Sequence, residues 1–383
     1  MPPYSMHVLN AFLITVLITV ILQPLSGRLG LLDMPDGRKL HGRGVPVIGG
    51  IAMFAGILVP AAIGDGVLNA GWNLLTGLAV LVALGVIDDA RDLPGPTKFA
   101  VQTAAALLMV LPDGPIVHDL GHVPLFGALP LGPAALPATV LFIVAYMNAF
   151  NMFDGLDGLA GGTAAVTLGG LAVAASARGL DARLAVVLLL LFAVLGFLVF
   201  NLRHPWRLRA SVFMGDAGSL MLGAAIAYLA VVIVAAPAHA GEPPLAAIAW
   251  VLALPLIDMA SLIPRRLKDG HNPMKADRRH LHHLLVDSGV PAHKAVGVLL
   301  AVQAALAAIG LATWGAGVPE HLLALALLIP VIGHASFIRF GVRWLRRGHR
   351  DGHRDGRGSF SSGHDIASSK EPGHARPPLR APQ

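Results

Sequence analysis

The sequence of 383 residues contains no cysteine, and only 13% of its residues are charged. The lack of cysteine excludes disulfides and thiolate metal sites, so any bound metal must use oxygen or imidazole ligands. The scarcity of charge, together with 55% hydrophobic residues and a mean hydropathy of +0.69, excludes a soluble two-domain protein. The chain is therefore predicted to be a polytopic, all-α membrane protein.

Apolar runs of about 20 residues, the length that crosses the hydrocarbon core, recur from Val8 to Phe340. The first run, which ends near Ser26, has no basic flank before it and no clear small-residue cleavage site after it, which favours a retained helix over a signal peptide. Turns and polar loops divide the runs into eleven predicted spans: 8–27, 47–64, 72–87, 98–112, 135–152, 158–176, 184–202, 218–236, 245–263, 295–314 and 321–340.

Lysine and arginine are nearly absent from the loops on one side of this arrangement. Only Arg178 and Arg183 fall there, while the other 26 of the 28 lie in the alternate loops and the C-terminal tail. The ratio is still 16 to 2 without the ten basic residues from Arg339 onward. By the positive-inside rule, we expect the N-terminus outside and the C-terminus in the cytoplasm.

The composition changes near Gly341 to Arg, His, Gly, Ser and Pro. We expect residues 1–345 to form the membrane domain and residues 346–383 to form a basic, disordered cytoplasmic tail. Two interpretations of the tail stay open: attraction to anionic lipid headgroups, or a solvated segment that sets topology.

An acidic cluster lies at the cytoplasmic end of the third span. Asp88 and Asp89 close the span, and Asp92 follows one helical turn after Asp88. Adjacent carboxylates repel, and a divalent cation, a nearby Lys98 or protonation would relieve that repulsion. At a membrane boundary this arrangement is typical of cation binding or proton transfer, although an ordinary cytoplasmic turn at 93–96 is the alternative.

A second cluster has polar residues at every third position, which predicts one polar ridge along a helix. Gly155 and Gly158 are expected to interrupt the helix near the end of this series. Amides in this series could donate to a phosphate or nucleobase, and carboxylates could accept ribose hydroxyls or hold a metal. The series is Asn148, Asn151, Asp154 and Asp157.

Asp216 lies between Gly215 and Ala217 at the start of the eighth span. A helix N-terminus with small neighbours suits an anion or its metal. Mg²⁺ typically takes one or two protein carboxylates and completes its shell with water and substrate phosphates. Phe213 could stack on a base, or face lipid as an interfacial aromatic residue.

Three histidines, His280, His282 and His283, lie in the longest internal cytoplasmic loop, close to six lysines and arginines. This cationic region suits a pyrophosphate or a phospholipid headgroup, because imidazoles donate to phosphate or bind metal. Asp258, inside the ninth span, is interpreted as a structural charge partner. The first cytoplasmic loop adds two cations and another histidine to the same side: Arg38, Lys39 and His41.

In this order the motifs resemble those of the polyprenyl-phosphate N-acetylhexosamine-1-phosphate transferases, over roughly residues 8–345. The first loop and the His-x-His-His form look more like the branch that makes undecaprenyl-diphosphate N-acetylglucosamine than the peptidoglycan branch. Five ordered motifs carry the resemblance: Arg38-Lys39-x-His41 followed by Pro46 and Gly49-Gly50; Asp88-Asp89-x-x-Asp92 with Lys98 and Gln102; the Asn/Asp series; Phe213-Met214-Gly215-Asp216; and His280-x-His282-His283.

The resemblance implies transfer of N-acetylglucosamine 1-phosphate from UDP-N-acetylglucosamine to undecaprenyl phosphate, with release of UMP. It places the active site on the cytoplasmic face of a bacterial inner membrane, at the start of cell-surface glycan synthesis. It also implies Mg²⁺, with Mn²⁺ as an alternative, no nucleic-acid partner, and a homodimer as one expected state. Direct attack by the lipid phosphate is favoured over an aspartyl intermediate, because a phosphate monoester is already a competent nucleophile.

Other activities stay open. The runner-up is the peptidoglycan-branch enzyme, which transfers phospho-N-acetylmuramoyl-pentapeptide, and a different UDP-N-acetylhexosamine donor is a further alternative. A secondary transporter is remote, because transporters place polar residues near mid-membrane, whereas here only Asp258 approaches the interior.

The resemblance also implies residue roles. Asp216 is expected to be the chief Mg²⁺ ligand, and Asp88 or Asp89 to join it or to orient or deprotonate the lipid phosphate. Phe213 would stack on uracil, and the histidines would bind phosphates. The last three members of the Asn/Asp series would contact the uridine nucleotide or organise its site. The expected catalytic residues are Asp88, Asp89, Asp216, His280, His282 and His283. The expected substrate-binding residues are Arg38, Lys39, His41, Lys98, Asn148, Asn151, Asp154, Asp157 and Phe213.

Overall fold

The computed structural model describes residues 5–34, 44–63, 71–111, 113–123, 127–203, 207, 209–236, 245–268 and 280–341. In these residues the chain is mostly helical, which confirms an all-α polytopic membrane protein. Eight helical segments among them are long and apolar enough to cross a membrane, and a bent pair of helices makes a ninth candidate.

The helices of the described part are α1 Ser5–Leu22, α2 Gly49–Ile63, α3 Trp72–Arg91, α4 Gly95–Val110, α5 Ala135–Phe153, α6 Leu159–Ala177, α7 Asp181–Asn201, α8 Gly215–Val234, α9 Leu245–Val251, α10 Ala253–Lys268, α11 Leu281–Asp287, α12 Ala292–Gly315, α13 Glu320–Ala326 and α14 Leu328–Ser336. Short 3₁₀ turns at Gln23–Leu25 and Gly132–Ala134 and a π turn at Phe337–Gly341 accompany them. Two antiparallel hairpins pair β1 Leu32–Asp33 with β2 Val45–Pro46, and β3 Asp119–Val123 with β4 Gly127–Pro130.

Each predicted span overlaps a helix, but the ninth is broken. Its two halves, α9 and α10, meet at an angle of 75°. A break inside a membrane leaves backbone groups without helical partners, and neighbouring side chains must satisfy them. Gln303 of α12 does this, since its amide nitrogen, Nε2, donates to the carbonyl oxygen of Val251 at 2.6 Å and to Thr167 Oγ1 at 3.1 Å.

Helix α8 lies at the centre of the bundle, and 94% of an 18-residue apolar stretch of this helix is buried. In membranes helices associate through close packing, which small residues allow. A Cβ added to Gly85 of α3 would lie 2.1 Å from the Ala217 nitrogen, and one added to Gly50 of α2 would lie 2.3 Å from the Gly218 nitrogen. Glycine therefore lets α2 and α3 touch the first turn of α8, which brings Asp216 to the end of α3.

The segment before α8 is fixed by the segment before α2. Phe213 donates its N–H to the Pro46 carbonyl at 2.8 Å and accepts from the Gly49 N–H at 3.0 Å. Gly50 donates to the Met214 carbonyl at 3.1 Å. These backbone bonds hold the Phe-Met-Gly-Asp motif against the first hairpin.

Candidate active site

A cavity of about 1280 Å³ opens at one end of the bundle, where α3, α5 and α7 end and α8 begins. The first hairpin, the loop after α5 and helix α11 complete its wall. Residues from all five sequence motifs thus reach one space, the first motif through Pro46. The predicted residues that line it are Asp89, Asn151, Asp154, Asp157, Phe213, Asp216 and His283.

Asp216 is held in place by side chains and backbone from two other helices. Asn151 of α5 donates from its amide nitrogen to Asp216 Oδ1 at 2.9 Å and to Ser219 Oγ at 2.8 Å. Asp89 of α3 accepts the backbone N–H of Asp216 at 3.0 Å, which caps the first turn of α8. The carboxylates of Asp89 and Asp216 therefore meet at the cavity wall.

Gly215 makes this approach possible. Its φ of +70° lies in the left-handed region that favours glycine. A Cβ there would lie 2.5 Å from Asp89 Oδ2 and 2.3 Å from Val47 Cγ1. Any other residue would push the carboxylate of Asp89 away from the start of α8.

Asp88 is buried behind this pair and does not line the cavity. Lys98 Nζ lies 2.5 Å from Asp88 Oδ2, and the Leu93 N–H donates to Asp88 Oδ1 at 2.7 Å. The Asp88 carboxylate lies close enough to that of Asp216 for the two to interact electrostatically. Lys98 is thus the ion-pair partner of Asp88, and it is not among the residues that line the cavity.

The three aspartates offer the oxygen ligands that Mg²⁺ prefers, and their mutual repulsion favours a cation between them. Within the described ranges, no group of three or more histidine, cysteine or acidic side chains is placed to hold a metal ion together. This donor set fits a Mg²⁺ ion that takes one or two carboxylates and leaves its other positions to water and substrate.

The predicted polar ridge of α5 does not extend through the whole Asn/Asp series, because α5 ends at Phe153. Asn148 turns to α4 and donates to Gln102 Oε1 at 2.8 Å, so it lies away from the cavity. Asp154 and Asp157 reach the cavity from the loop after the helix. Helical spacing therefore predicted the series correctly only as far as Asn151.

Asp154 is exposed and lines the cavity. Poor hydration raises the pKa of Asp154 to about 7, and the nearby charges of Asp89 and Asp157 raise it further in the same direction. Asp154 therefore changes its charge near neutral pH.

Asp157 fixes the loop after α5 to the segment between α7 and α8. It accepts from Arg203 Nε at 2.8 Å and from the Ala210 N–H at 2.9 Å. Asn201 supports the same loop, since its Oδ1 accepts the Gly158 N–H at 2.8 Å. Asp157 thus has a positioning role besides its place in the cavity wall.

Sequence reasoning missed three cavity residues in this region: Asn201, Arg203 and Arg209. The two arginines entered the prediction only as topology signals. Their signal was the cluster of cations immediately before the Phe-Met-Gly-Asp motif.

The three predicted histidines have different environments. His283 lines the cavity. His280 Nδ1 lies 2.8 Å from Asp258 Oδ2, and both groups are buried. His282 is fully buried beside Gly155, and within the described part neither of its ring nitrogens has a hydrogen-bond partner. Burial, and then the neighbouring imidazole of His283, lowers the pKa of His282 to about 3, so it is neutral.

Some predicted residues lie outside the described residues. These are Arg38, Lys39 and His41, the loop cations Lys275, Arg278 and Arg279, and the tail from residue 342 onward. The side chains of Arg265, Arg266 and Lys268 are likewise outside the description.

Comparison with known proteins extends the similarity over most of the chain. A model of glycosyl transferase family 4 matches residues 72–234. The undecaprenyl-phosphate alpha-N-acetylglucosaminyl 1-phosphate transferase of Escherichia coli O157:H7 is 31% identical over 338 residues, which cover 88% of this chain and 91% of that protein. The protein of the same name from Haemophilus influenzae is 32% identical over 346 residues, with coverages of 88% and 96%.

Proposed function

This chain belongs to glycosyl transferase family 4, and we propose that it transfers N-acetylglucosamine 1-phosphate to undecaprenyl phosphate. The donor in this proposal is UDP-N-acetylglucosamine. An oxygen of the lipid phosphate forms a bond to the sugar-bearing phosphorus, the bond from that phosphorus to the bridging oxygen breaks, and UMP leaves. The product is a lipid-linked diphosphosugar that begins a cell-surface glycan.

The observation that carries the proposal is the contact of Asn151 with Asp216 beside Asp89, in a cavity at the end of apolar helices. A water-soluble nucleotide sugar and a membrane-bound phosphate can meet only at such a boundary. The cavity volume of about 1280 Å³ exceeds the roughly 300–1,000 Å³ of common ligand pockets. A cavity of this size can hold two substrates together.

We propose eleven spans, with the N-terminus outside and the cavity and C-terminus in the cytoplasm of a bacterial cell, in its inner membrane. Helices α2 and α4, with 15 and 16 residues, are about 22–24 Å long, and they would complete the eleven with the nine candidates. Arg203 and Arg209 lie at the cavity, whereas Arg178 lies at the other end of α8, where it donates to the Ala236 carbonyl at 3.3 Å. This asymmetry supports the orientation. The division into a membrane domain, 1–345, and a tail, 346–383, is part of the same proposal.

Asp216 would hold Mg²⁺, with Asp89 as a neighbouring ligand and Mn²⁺ as an alternative ion. Asp88, the third expected ligand, pairs with Lys98 and would act from behind these two carboxylates. When bound, the metal neutralises charge on the donor diphosphate and so favours approach of the lipid phosphate. Asn151 orients Asp216 through its hydrogen bond. Because a phosphate monoester loses its second proton near pH 6, it is already mostly ionised at pH 7, and Asp88 or Asp89 needs only to orient it.

The remaining residues would bind the donor. Phe213 would stack on uracil, and Asp154 and Asp157 would contact the ribose or organise its site. Arg209 would neutralise phosphate charge at the cavity wall, and His283 would donate a hydrogen bond to phosphate there. Of the three histidines, only His283 lines the described cavity. The buried His280 and His282 would therefore contribute to phosphate binding indirectly, by supporting His283.

The test is UMP release by purified protein with undecaprenyl phosphate and Mg²⁺. UDP-N-acetylglucosamine should be accepted, and UDP-N-acetylmuramoyl-pentapeptide should not. Release only with the pentapeptide donor would move the protein to peptidoglycan synthesis, and silence with a panel of UDP-sugars would refute a transferase. Mass measurement of the detergent-solubilised protein tests the homodimer that is part of the proposal.

A further inference from the structure

Asp258 is the centre of a buried network that joins three separate parts of the chain. Its side chain is 1% exposed. Oδ2 lies 2.8 Å from His280 Nδ1, and Oδ1 accepts the backbone N–H of Leu281 at 3.0 Å. Oδ1 also lies 3.2 Å from Nε2 of His334, on α14. Because a carboxylate only accepts, both imidazole nitrogens that face it carry the hydrogen.

These bonds set the position of α11. His280 is the residue before the helix, and Leu281 is its first residue, so Asp258 holds both the entry and the first N–H of α11. The ring of His280 stacks on that of His282, with centroids 5.9 Å apart and planes 9° apart. His282 in turn contacts His283, with centroids 4.2 Å apart, and His283 faces the cavity. A continuous series of side chains therefore runs from Asp258 to the cavity wall.

His334 is unusual for its place in the fold. In the last span, Glu320–Gly341, only 11% of an 18-residue apolar stretch is buried. Large side chains on this span are exposed, for example Ile329 at 70% and Ile332 at 62%. His334, by contrast, is 9% exposed. A buried polar side chain on an otherwise lipid-facing helix carries a desolvation cost, which a specific partner must offset. Asp258 is that partner.

We infer that Asp258 and His334 are positioning residues for the transferase site, and that the last span acts through their hydrogen bond to fix α11 and direct His283 into the cavity. This inference rests on the proposed function for its activity measurement. Neither residue touches the cavity. Their effect on catalysis is exerted through the histidine series, because a displacement of about 1 Å at a reacting site costs roughly 100-fold in rate.

The test compares His334→Ala with His334→Gln in the full-length protein. The glutamine amide nitrogen reaches about the same position as Nε2 of histidine, so His334→Gln should keep the bond to Asp258. We expect His334→Ala to lower kcat by about 10- to 100-fold, with KM for UDP-N-acetylglucosamine within about threefold. We expect His334→Gln to recover most of kcat. The matched control is Ile332→Ala in the same span, which should leave kcat unchanged.

Hydrogen exchange of the peptide that covers Leu281–Ser288 provides a second measurement, independent of activity. The Leu281 N–H is bonded to Asp258, so its exchange should become about tenfold faster in His334→Ala but not in His334→Gln or Ile332→Ala. Should His334→Ala not fold, His334→Asn takes its place, because its shorter amide does not reach Asp258.

Two results would overturn the inference: unchanged kcat and exchange in His334→Ala, or equal losses in Ile332→Ala, which would indicate general weakening of the last span. If the wild-type protein releases no UMP with any donor, the proposed function fails. The exchange data then still decide whether His334 positions α11.

Discussion

Asn151 donates a hydrogen bond to the carboxylate of Asp216 at 2.9 Å, although 65 positions separate them in the chain. This bond joins the end of α5 to the start of α8 at the cavity. It helps to orient the carboxylate of Asp216, and it ties two of the sequence motifs into one site.

Replacement of Asn151 by alanine should lower kcat by on the order of 10²-fold, because Asp216 would lose the donor that sets its direction. Asn148→Ala is the comparison, since Asn148 lies on the same helix but pairs with Gln102 outside the cavity. It should cost less activity. Initial rates of UMP release for both variants, normalised to folded protein, check this; equal losses would contradict it.

Asp216→Asn should reduce Mg²⁺-dependent turnover by on the order of 10²–10³-fold. The amide keeps an oxygen for the bond from Asn151 but removes the negative charge that attracts a cation. Turnover is measured against Mg²⁺ concentration, with folding checked by thermal melting in detergent. Normal metal-dependent turnover in the folded variant would make the assignment of Asp216 as chief ligand wrong.

Arg209→Gln should raise KM for the nucleotide sugar by about tenfold or more, since a hydrogen bond to a charged group contributes about 1.5–3 kcal/mol. Arg207→Gln is a control two positions away. Arg207 stacks over Phe200, with 5.9 Å between its Cζ and the ring centroid, and does not line the cavity. Steady-state kinetics with varied donor would refute the role of Arg209 if both variants keep the wild-type KM.

Gly85→Ala should destabilise the protein by about 1–3 kcal/mol, because the new Cβ would lie 2.1 Å from the Ala217 nitrogen and force α3 away from α8. Gly297→Ala on α12 serves as control, since nothing lies within 4 Å of a Cβ there. Melting temperatures in one detergent compare the two. Equal stability would show that the two helices can separate without cost.

The stability of the fold should fall as the pH drops below about 6.5, the ordinary pKa of histidine. The pKa of His282 is lowered to about 3 in the folded protein, so between these values the unfolded chain binds a proton that the folded protein does not. His282→Gln should therefore reduce the loss of stability between pH 7.5 and pH 5, by at most about 1.4 kcal/mol per pH unit. The exposed His293→Gln is the control. Parallel wild-type and His282→Gln curves, from thermal unfolding at several pH values, would contradict the prediction.

The helical membrane architecture could be predicted from the sequence, because hydropathy acts locally: about 20 apolar residues must form a helix to satisfy their backbone in lipid. The break between α9 and α10 could not be predicted, because it depends on Gln303, a residue on another helix that satisfies the freed carbonyl of Val251. The sequence pattern also did not show where α5 ends, because the three-residue spacing of polar side chains continues past Phe153, the last residue of the helix.

The sequence by itself determined the chemistry of the site: carboxylates, amides and histidines at helix ends, in the order that is typical of one family. Only the tertiary structure decided which of two similar residues, close together in the sequence, faces the cavity. Asp89 lines the cavity while Asp88 pairs with Lys98, and Asn151 reaches Asp216 while Asn148 does not. Adjacent helical residues point about 100° apart, so the rotation and packing of whole helices selects which one faces the site. That rotation is set by contacts between distant segments, such as Gly85 on Ala217, which no local pattern records.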